Sequence, residues 1–193
     1  MCEMRIITII KSIEKMLKQP IQLESNLIIR NAEKTDCDDI MRLINELAVF
    51  EKYPDQVRIN SEILRQDGFG EHPLYSCLVV EDSSVSSARI VAIALMFNVY
   101  STWEGKCLHL EDLYVQVDFR KRGIGKALFA ATYQIAVETN CARLNFNVLD
   151  WNTTAIDFYK SFGAVDLTEK EGWHGLRVTR ENMEIQLEKW KKN

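Results

Sequence analysis

Between positions 120 and 126 the chain reads Arg120, Lys121, Arg122, Gly123, Ile124, Gly125, Lys126. A β-like run ending at Val115 enters this turn and helix-forming residues leave it, so the two glycines open a helix. The first N–H groups of a helix have no partner inside it and carry partial positive charge, which lets them hold an anion. Glycine allows the backbone to come close to that anion, and the flanking bases add attraction. Two familiar phosphate loops do not fit. A dinucleotide fingerprint needs a third glycine at position 128, which is Leu128. A P-loop needs four residues between its glycines and Ser or Thr after the lysine, whereas one residue intervenes here and Ala127 follows. Taken alone, so short a glycine match favours the plainer reading, in which Gly123 and Gly125 form a tight turn with a solvated basic face.

The surroundings favour the anion. Arg120, Gly123 and Gly125, placed after a strand that ends in Leu113, Tyr114 and Val115, resemble the acyl-CoA pyrophosphate loop of GCN5-related N-acetyltransferases. Downstream, Trp151, Asn152, Ala155, Phe158, Tyr159, Lys160, Gly163 and Ala164 are similar to the second cofactor segment of that superfamily. Four further stretches resemble the diamine acetyltransferase family, which comprises the spermidine/spermine and thialysine acetyltransferases. They are the run from Asp67 to Pro73, Tyr75 with Cys77 to Val79, Leu110 to Asp112, and Glu171 to Trp173. Ser101, Thr102 and Trp103, with Leu149, Asp150 and Trp151, look closer to the thialysine branch. The likeness runs from about Leu27 to Trp173.

The resemblance implies transfer of acetyl from acetyl-CoA to the primary amine of a small cationic substrate, by direct attack in a ternary complex. An amine with a pKa near 10.4 arrives protonated and must lose a proton before it attacks. By similarity Glu111 binds the substrate and serves as the base, Asp112 is structural, and Tyr159 protonates the leaving thiolate. Read from the residues alone, Glu111 could be an exposed strand-end glutamate. Ile156, Tyr159 and Phe162 could likewise be a packing stripe. The same likeness assigns Leu113, Tyr114 and Val115 to the pantetheine and thioester, and Arg120, Lys121, Arg122, Gly123, Ile124, Gly125 and Lys126 to the pyrophosphate. Asn152, Thr153, Thr154 and Ala155 would meet the cofactor's far arm. Lys121 stands where a glycine is often found. Phe50, Glu51, Trp103, Asn145, Phe146, Asn147, Asp150 and Glu171 are the implied acceptor residues beside Glu111. Two alternatives stay open: an acetyltransferase acting on protein N-termini or lysines, and an acyl-CoA-binding interaction module whose chemistry has lapsed.

The elements that must position these groups are legible in outline. Leu27, Ile28, Ile29 and Arg30 read as a short strand. Ile40, Leu43, Ile44 and Leu47 form one stripe of a helix capped near Asp36. A short helix over 60–66 follows. Strands are expected over 75–80, 90–100, 107–115 and 143–149, helices from 124 to about 140 and over 153–162, and Gly163 as a left-handed cap. The tail reads as strands over 164–168 and 176–179 and a helix from about Glu181. The result is an α+β fold, a mixed central β-sheet flanked by helices in a single N-acetyltransferase domain over 26–193. Residues 1–25 form an N-terminal extension in which Ile6, Ile10, Ile13 and Leu17 mark one helical face.

Composition narrows the classes. A 193-residue chain with 47% hydrophobic and 27% charged residues is neither disordered nor low in complexity. A net charge of −4 disfavours general nucleic-acid binding. The longest apolar run, from Ile90 to Phe97, is too short to cross a bilayer. Five scattered cysteines without a CxxC pair, and three unclustered histidines, argue against a disulfide framework or a metal centre. They suit a reducing cytoplasmic compartment. The family resemblance further implies a homodimer.

Overall fold

In the computed structural model, residues 17–84 and 88–191 are described. They form two compact units, one up to Asn147 and one from Val148 onward.

The first unit is built on six strands whose spatial order follows the sequence: β1 (Ile21–Glu24), β2 (Leu27–Asn31), β3 (Ser76–Asp82), β4 (Arg89–Ser101), β5 (Gly105–Val115) and β6 (Leu144–Phe146). The neighbours from β1 to β5 are antiparallel. β6 is parallel to β5, as a crossover through α3 (Ile124–Glu138) requires.

Alternation along the strands feeds two cores. On one face Cys77, Val79, Ile93, Leu95 and Tyr114 pack with Ile40, Met41 and Leu43 of α1 (Cys37–Phe50) and Leu64 of α2 (Ser61–Phe69). The intervening residues Leu78, Val80, Ala94, Met96 and Leu110 are buried on the opposite face, which α3 covers with Leu128, Phe129 and Ile135. A buried ion network fixes where α1 begins. Arg30 on β2 donates to both carboxylate oxygens of Asp36, at 2.7 and 2.9 Å, and through Nε to Glu81 of β3 at 2.7 Å.

The second unit holds α4 (Thr153–Ser161), α5 (Leu167–Glu171) and α6 (Arg180–Lys191). Here the tail departs from expectation. The strand expected over 164–168 is replaced by α5, because Asp166 accepts from the N–H groups of Thr168 and Glu169 and Gly172 closes the helix at φ 75. Residues 176–179 form no strand, and Leu176 is 94% exposed. A short alternating segment becomes a strand only against a partner edge. The helix from about Glu181 is present as α6. Near the N-terminus Ile21–Glu24, inside the stretch expected as an extension, pairs with β2. Of the expected helical face, Ile6, Ile10 and Ile13 lie outside the described residues.

Candidate active site

The central feature is an irregularity in β5. Leu95 of β4 pairs with Asp112, but its neighbour Met96 pairs with Leu110, so Glu111 is an extra residue in the ladder. Such a bulge breaks the strict alternation of side chains. In a regular strand Glu111 and Asp112 would point to opposite faces. Here both lie close enough to Glu51 and to each other for their charges to interact. Glu51 follows the last residue of α1, where the chain turns through Lys52 at φ 67. That places its carboxylate over the same end of β5.

Crowding three acids together carries an electrostatic cost. Burial first, then the charges of Glu111 and Glu51, push Asp112 up to about 7. Glu51 is also raised, chiefly by burial and then by Glu111. An arriving ammonium group would relieve this repulsion. Asp112, read from sequence as structural, therefore belongs to the cluster. The bulge that brings it there leaves no mark in the residue pattern.

The same strand has an open edge. The β5–β6 ladder stops at Leu110 opposite Phe146, and β5 then runs on through Val115 paired with β4. A strand edge of this kind can bond an extended amide-containing chain through its backbone. Leu113, Tyr114 and Val115 lie on this part of β5. Beyond Val115 the short turn Val117–Phe119 leads to the start of α3. Gly123 caps that helix at φ 77, and no side chain caps its first turn. Gly125 stands so near the end of β5 that a Cβ there would lie 3.7 Å from Val115 Cγ2. Lys121 is left-handed at φ 62, which accounts for glycine being at home in that position. An uncapped helix start, close backbone and basic surroundings fit a diphosphate. The open edge fits the amide chain of acetyl-CoA.

The basic residues divide their work. Arg120 turns toward α1: Nε donates to the Val115 carbonyl at 2.9 Å, and the guanidinium stacks on the rings of Phe50 and Tyr114 at 5.1 and 5.4 Å. These three line a cleft of about 670 Å³ with Arg42, Glu46 and Val117. Arg122 is ion-paired to Glu24 of β1 and lies over Phe119 at 5.3 Å. Lys121 and Ile124 to Lys126 complete the loop around the helix start.

On β6, Phe146 meets Phe129 of α3 edge-on at 5.7 Å, so alternation turns Asn145 to the face that α1 covers, and Asn147 follows the strand's last residue. Trp103 is 77% exposed in the β4–β5 hairpin, where its N–H donates to Ser101 Oγ at 3.2 Å.

In the second unit, Asn152 caps α4 by accepting from the Ala155 N–H at 3.3 Å, with Thr153 and Thr154 between them. Tyr159 is half-buried on α4, its ring against Phe158 at 5.3 Å. Glu171 accepts from Trp173 Nε1 at 2.9 Å, and Asp150 sits in the turn before α4. The first unit thus gathers Phe50, Glu51, Glu111, the β5 edge and the loop, while Asn152 to Ala155, Asp150, Tyr159 and Glu171 belong to the second.

The acetyltransferase (GNAT) family model matches residues 38–164 and so runs across both units. The thialysine N-epsilon-acetyltransferase of Sus scrofa is 43% identical over 163 residues, covering 82% of this chain and 96% of that protein. The Bos taurus protein of the same name is 46% identical over 161 residues, with 81% and 95% covered. Among solved structures, an integron cassette protein from V. cholerae shares the fold, with a TM-score of 0.68 at 21% identity over 85% of this chain and 99% of its own. By these matches the chain belongs to the GNAT acetyltransferase family, in its diamine acetyltransferase group alongside the thialysine enzymes, and is an acetyl-transferring acyltransferase.

Proposed function

We propose that the protein moves acetyl from acetyl-CoA to the primary amine of a small cationic acceptor, a thialysine- or lysine-like amine in preference to a polyamine. One observation carries this reading. A single strand, β5, joins a cluster of three carboxylates to an uncapped helix start along an open edge. The carboxylates suit an ammonium group and the helix start suits a diphosphate. The edge between them, at about 3.3 Å per residue, suits an extended thioester arm.

In this mechanism Glu51 and Asp112 attract and orient the ammonium group, and Glu111 takes its proton. The free amine then attacks the acetyl carbonyl, which a backbone N–H of β5 polarises; aimed donors of this kind are worth about 3 kcal/mol of barrier. As the tetrahedral adduct collapses, the C–S bond breaks, Tyr159 gives its phenolic proton to the departing sulfur, and the second proton lost by the former amine nitrogen restores the phenol. Acetyl-CoA, when bound, supplies the activated acyl group. Phe50, Trp103, Asn145, Phe146, Asn147, Asp150 and Glu171 shape the acceptor side. The reading includes a homodimer in the cytoplasm, where Cys37, Cys77, Cys107 and Cys141 remain free thiols. Light scattering over a range of concentrations tests the dimer.

The deciding experiment incubates the protein with acetyl-CoA and thialysine, lysine, spermidine or spermine and follows release of the CoA thiol. Turnover fastest with thialysine or lysine is expected. Peptide acetylation without small-amine turnover overturns the acceptor assignment, and acetyl-CoA binding with no turnover at all leaves a lapsed module. Tyr159→Phe should lower turnover about a hundredfold with CoA affinity little changed.

A further inference from the structure

We propose that Arg120 reads the acceptor's α-carboxylate and so selects an amino acid such as lysine or thialysine over a diamine. The proposal rests on the acetyl-transfer reading and names the group that sets its acceptor class. Resemblance alone places Arg120 with the diphosphate loop, but its side chain takes the other direction. Asp112 and Tyr114 pair across the sheet with Leu95 and Ile93, and both partners belong to the core beneath α1. Asp112 and Tyr114 therefore share the α1 face of β5. The Arg120 guanidinium lies over Tyr114 at 5.4 Å and over Phe50 of α1 at 5.1 Å, on that same face. The uncapped start of α3 lies toward the opposite face, where Gly125 approaches the side chain of Val115. Arg120 is thus aimed at the side where Glu51 and Asp112 attract the amine, and away from the helix start that suits the diphosphate.

The cleft of about 670 Å³ that Arg120 borders has the composition such a ligand needs. Its walls are apolar, with Val49 and Phe50 from α1, Tyr114 from β5 and Val117 just beyond it. Its charged groups are two guanidiniums, Arg42 and Arg120, and one carboxylate, Glu46. Arg42 is occupied by Asp39, Glu46 and the Ile90 carbonyl. Glu46 accepts from Arg42 at 2.7 Å and from the Tyr114 hydroxyl at 3.3 Å. Arg120 commits Nε to the Val115 carbonyl and forms no ion pair among the described residues. Its two terminal nitrogens carry further N–H donors, which can hold a carboxylate through paired bonds. Length agrees as well. Asp112 and Tyr114 stand two residues apart on one strand, about 7 Å. In lysine and thialysine six bonds separate the amine nitrogen from the carboxylate carbon, about 7 Å when extended. With its ammonium group at Glu51 and Asp112, such an acceptor lays its side chain along the Phe50 and Tyr114 rings and brings its carboxylate to Arg120. A diamine of the same length brings a second ammonium group there and meets a like charge.

The test is a ratio. Cadaverine is lysine without its carboxylate, and kcat/KM for each is measured with saturating acetyl-CoA. Thialysine and its decarboxylated diamine form a second pair. The native protein should favour the amino acid of each pair about tenfold or more, the scale of a charge-assisted contact. Arg120→Met keeps an apolar stem over Phe50 and Tyr114 and removes the charge. Its kcat/KM for lysine should fall by about that factor while the value for cadaverine rises, so the preference vanishes. Arg120→Lys keeps the charge without the paired donors and should retain part of the preference. Lysinamide, whose carboxamide is neutral, should lose the advantage of lysine with the native protein, a comparison that needs no variant to fold. Weaker CoA binding lowers both acceptors alike, so the ratio isolates the acceptor role, and calorimetry with CoA reads the cofactor role. The native ratio in Arg120→Met overturns the proposal, and a loss of CoA affinity beside that unmoved ratio returns Arg120 to the diphosphate. Equal turnover of lysine, lysinamide and cadaverine by the native protein overturns it as well and leaves the acetyl-transfer reading standing. A native protein inert toward every one of these amines overturns the acetyl-transfer reading itself.

Discussion

Asp112 still holds its proton at pH values where an exposed aspartate has lost it. The unfolded chain releases that proton near 3.9, whereas the folded protein holds it up to about 7. Between those values the native state binds more protons than the unfolded one, so this residue's contribution to stability declines as pH rises and is lost above 7. Asp112→Asn removes the penalty. The variant should be more stable by on the order of 4 kcal/mol near pH 8 and nearly unchanged near pH 4, as urea unfolding at the two pH values would measure. A gain of equal size at both would mean that packing, not charge, sets the effect. The loop offers a second residue-scale contrast. Gly123 has open space around its Cβ position but a φ of 77, so Gly123→Ala costs only conformational energy, about 1 kcal/mol. Lys121, at φ 62, already bears such a cost. Lys121→Gly should therefore leave stability equal or slightly higher, while Gly123→Ala lowers it. Both should weaken CoA binding, one through lost charge and the other through a displaced backbone. Thermal melts and calorimetry with CoA separate the two.

Among the elements, what the sequence made legible followed from periodicity, and what it hid followed from contacts between distant segments. The stripe of Ile40, Leu43 and Leu47 and the continuous apolar run over 90–97 each carry their own burial pattern, and α1 and β4 lie where those patterns place them. The glycine-marked start of α3 was equally readable, because Gly123 fulfils a backbone need on the spot. The bulge at Glu111 has no local cause, since it is a property of how β4 and β5 register, and so Asp112 was set apart from a cluster it belongs to. β1 escaped notice for a related reason: four residues of mixed polarity become a strand only beside β2. The tail strands failed in the opposite sense. Their alternation was real, but Asp166 and Gly172 supply helix caps at closer range. The Arg30 network shows how much such long-range contacts carry. It joins β2, β3 and the start of α1, and it is largely buried. Arg30→Ala leaves Asp36 and Glu81 unpaired and should lower stability by about 3 kcal/mol, read as a reduced urea midpoint with an unchanged slope. Arg30→Ala with an unaltered midpoint would show that α1 is anchored by its apolar stripe alone.

Across the molecule, a net charge of −4 conceals a separation of sign. Acids gather where β5 bulges, and bases gather where the chain enters α3. From Glu111 to Val115 is four steps along a strand, about 13 Å, which exceeds the screening length of about 8 Å at physiological salt. Under those conditions a cationic acceptor is drawn by the carboxylates without being repelled by Lys121 and Lys126. An anionic cofactor is drawn by the loop without opposition from Glu51. Raising the salt to about 1 M shortens the screening length to about 3 Å, so both attractions should fade together. The KM for acetyl-CoA and the KM for the amine should each rise severalfold, while kcat changes little, because groups already in contact are screened far less. The slope should depend on acceptor charge. Spermidine, with more ammonium groups than lysine, should lose kcat/KM more steeply as salt is added. Steady-state assays in a potassium chloride series check this directly: parallel slopes for the two acceptors would mean that the carboxylate cluster contributes contact geometry but no long-range attraction.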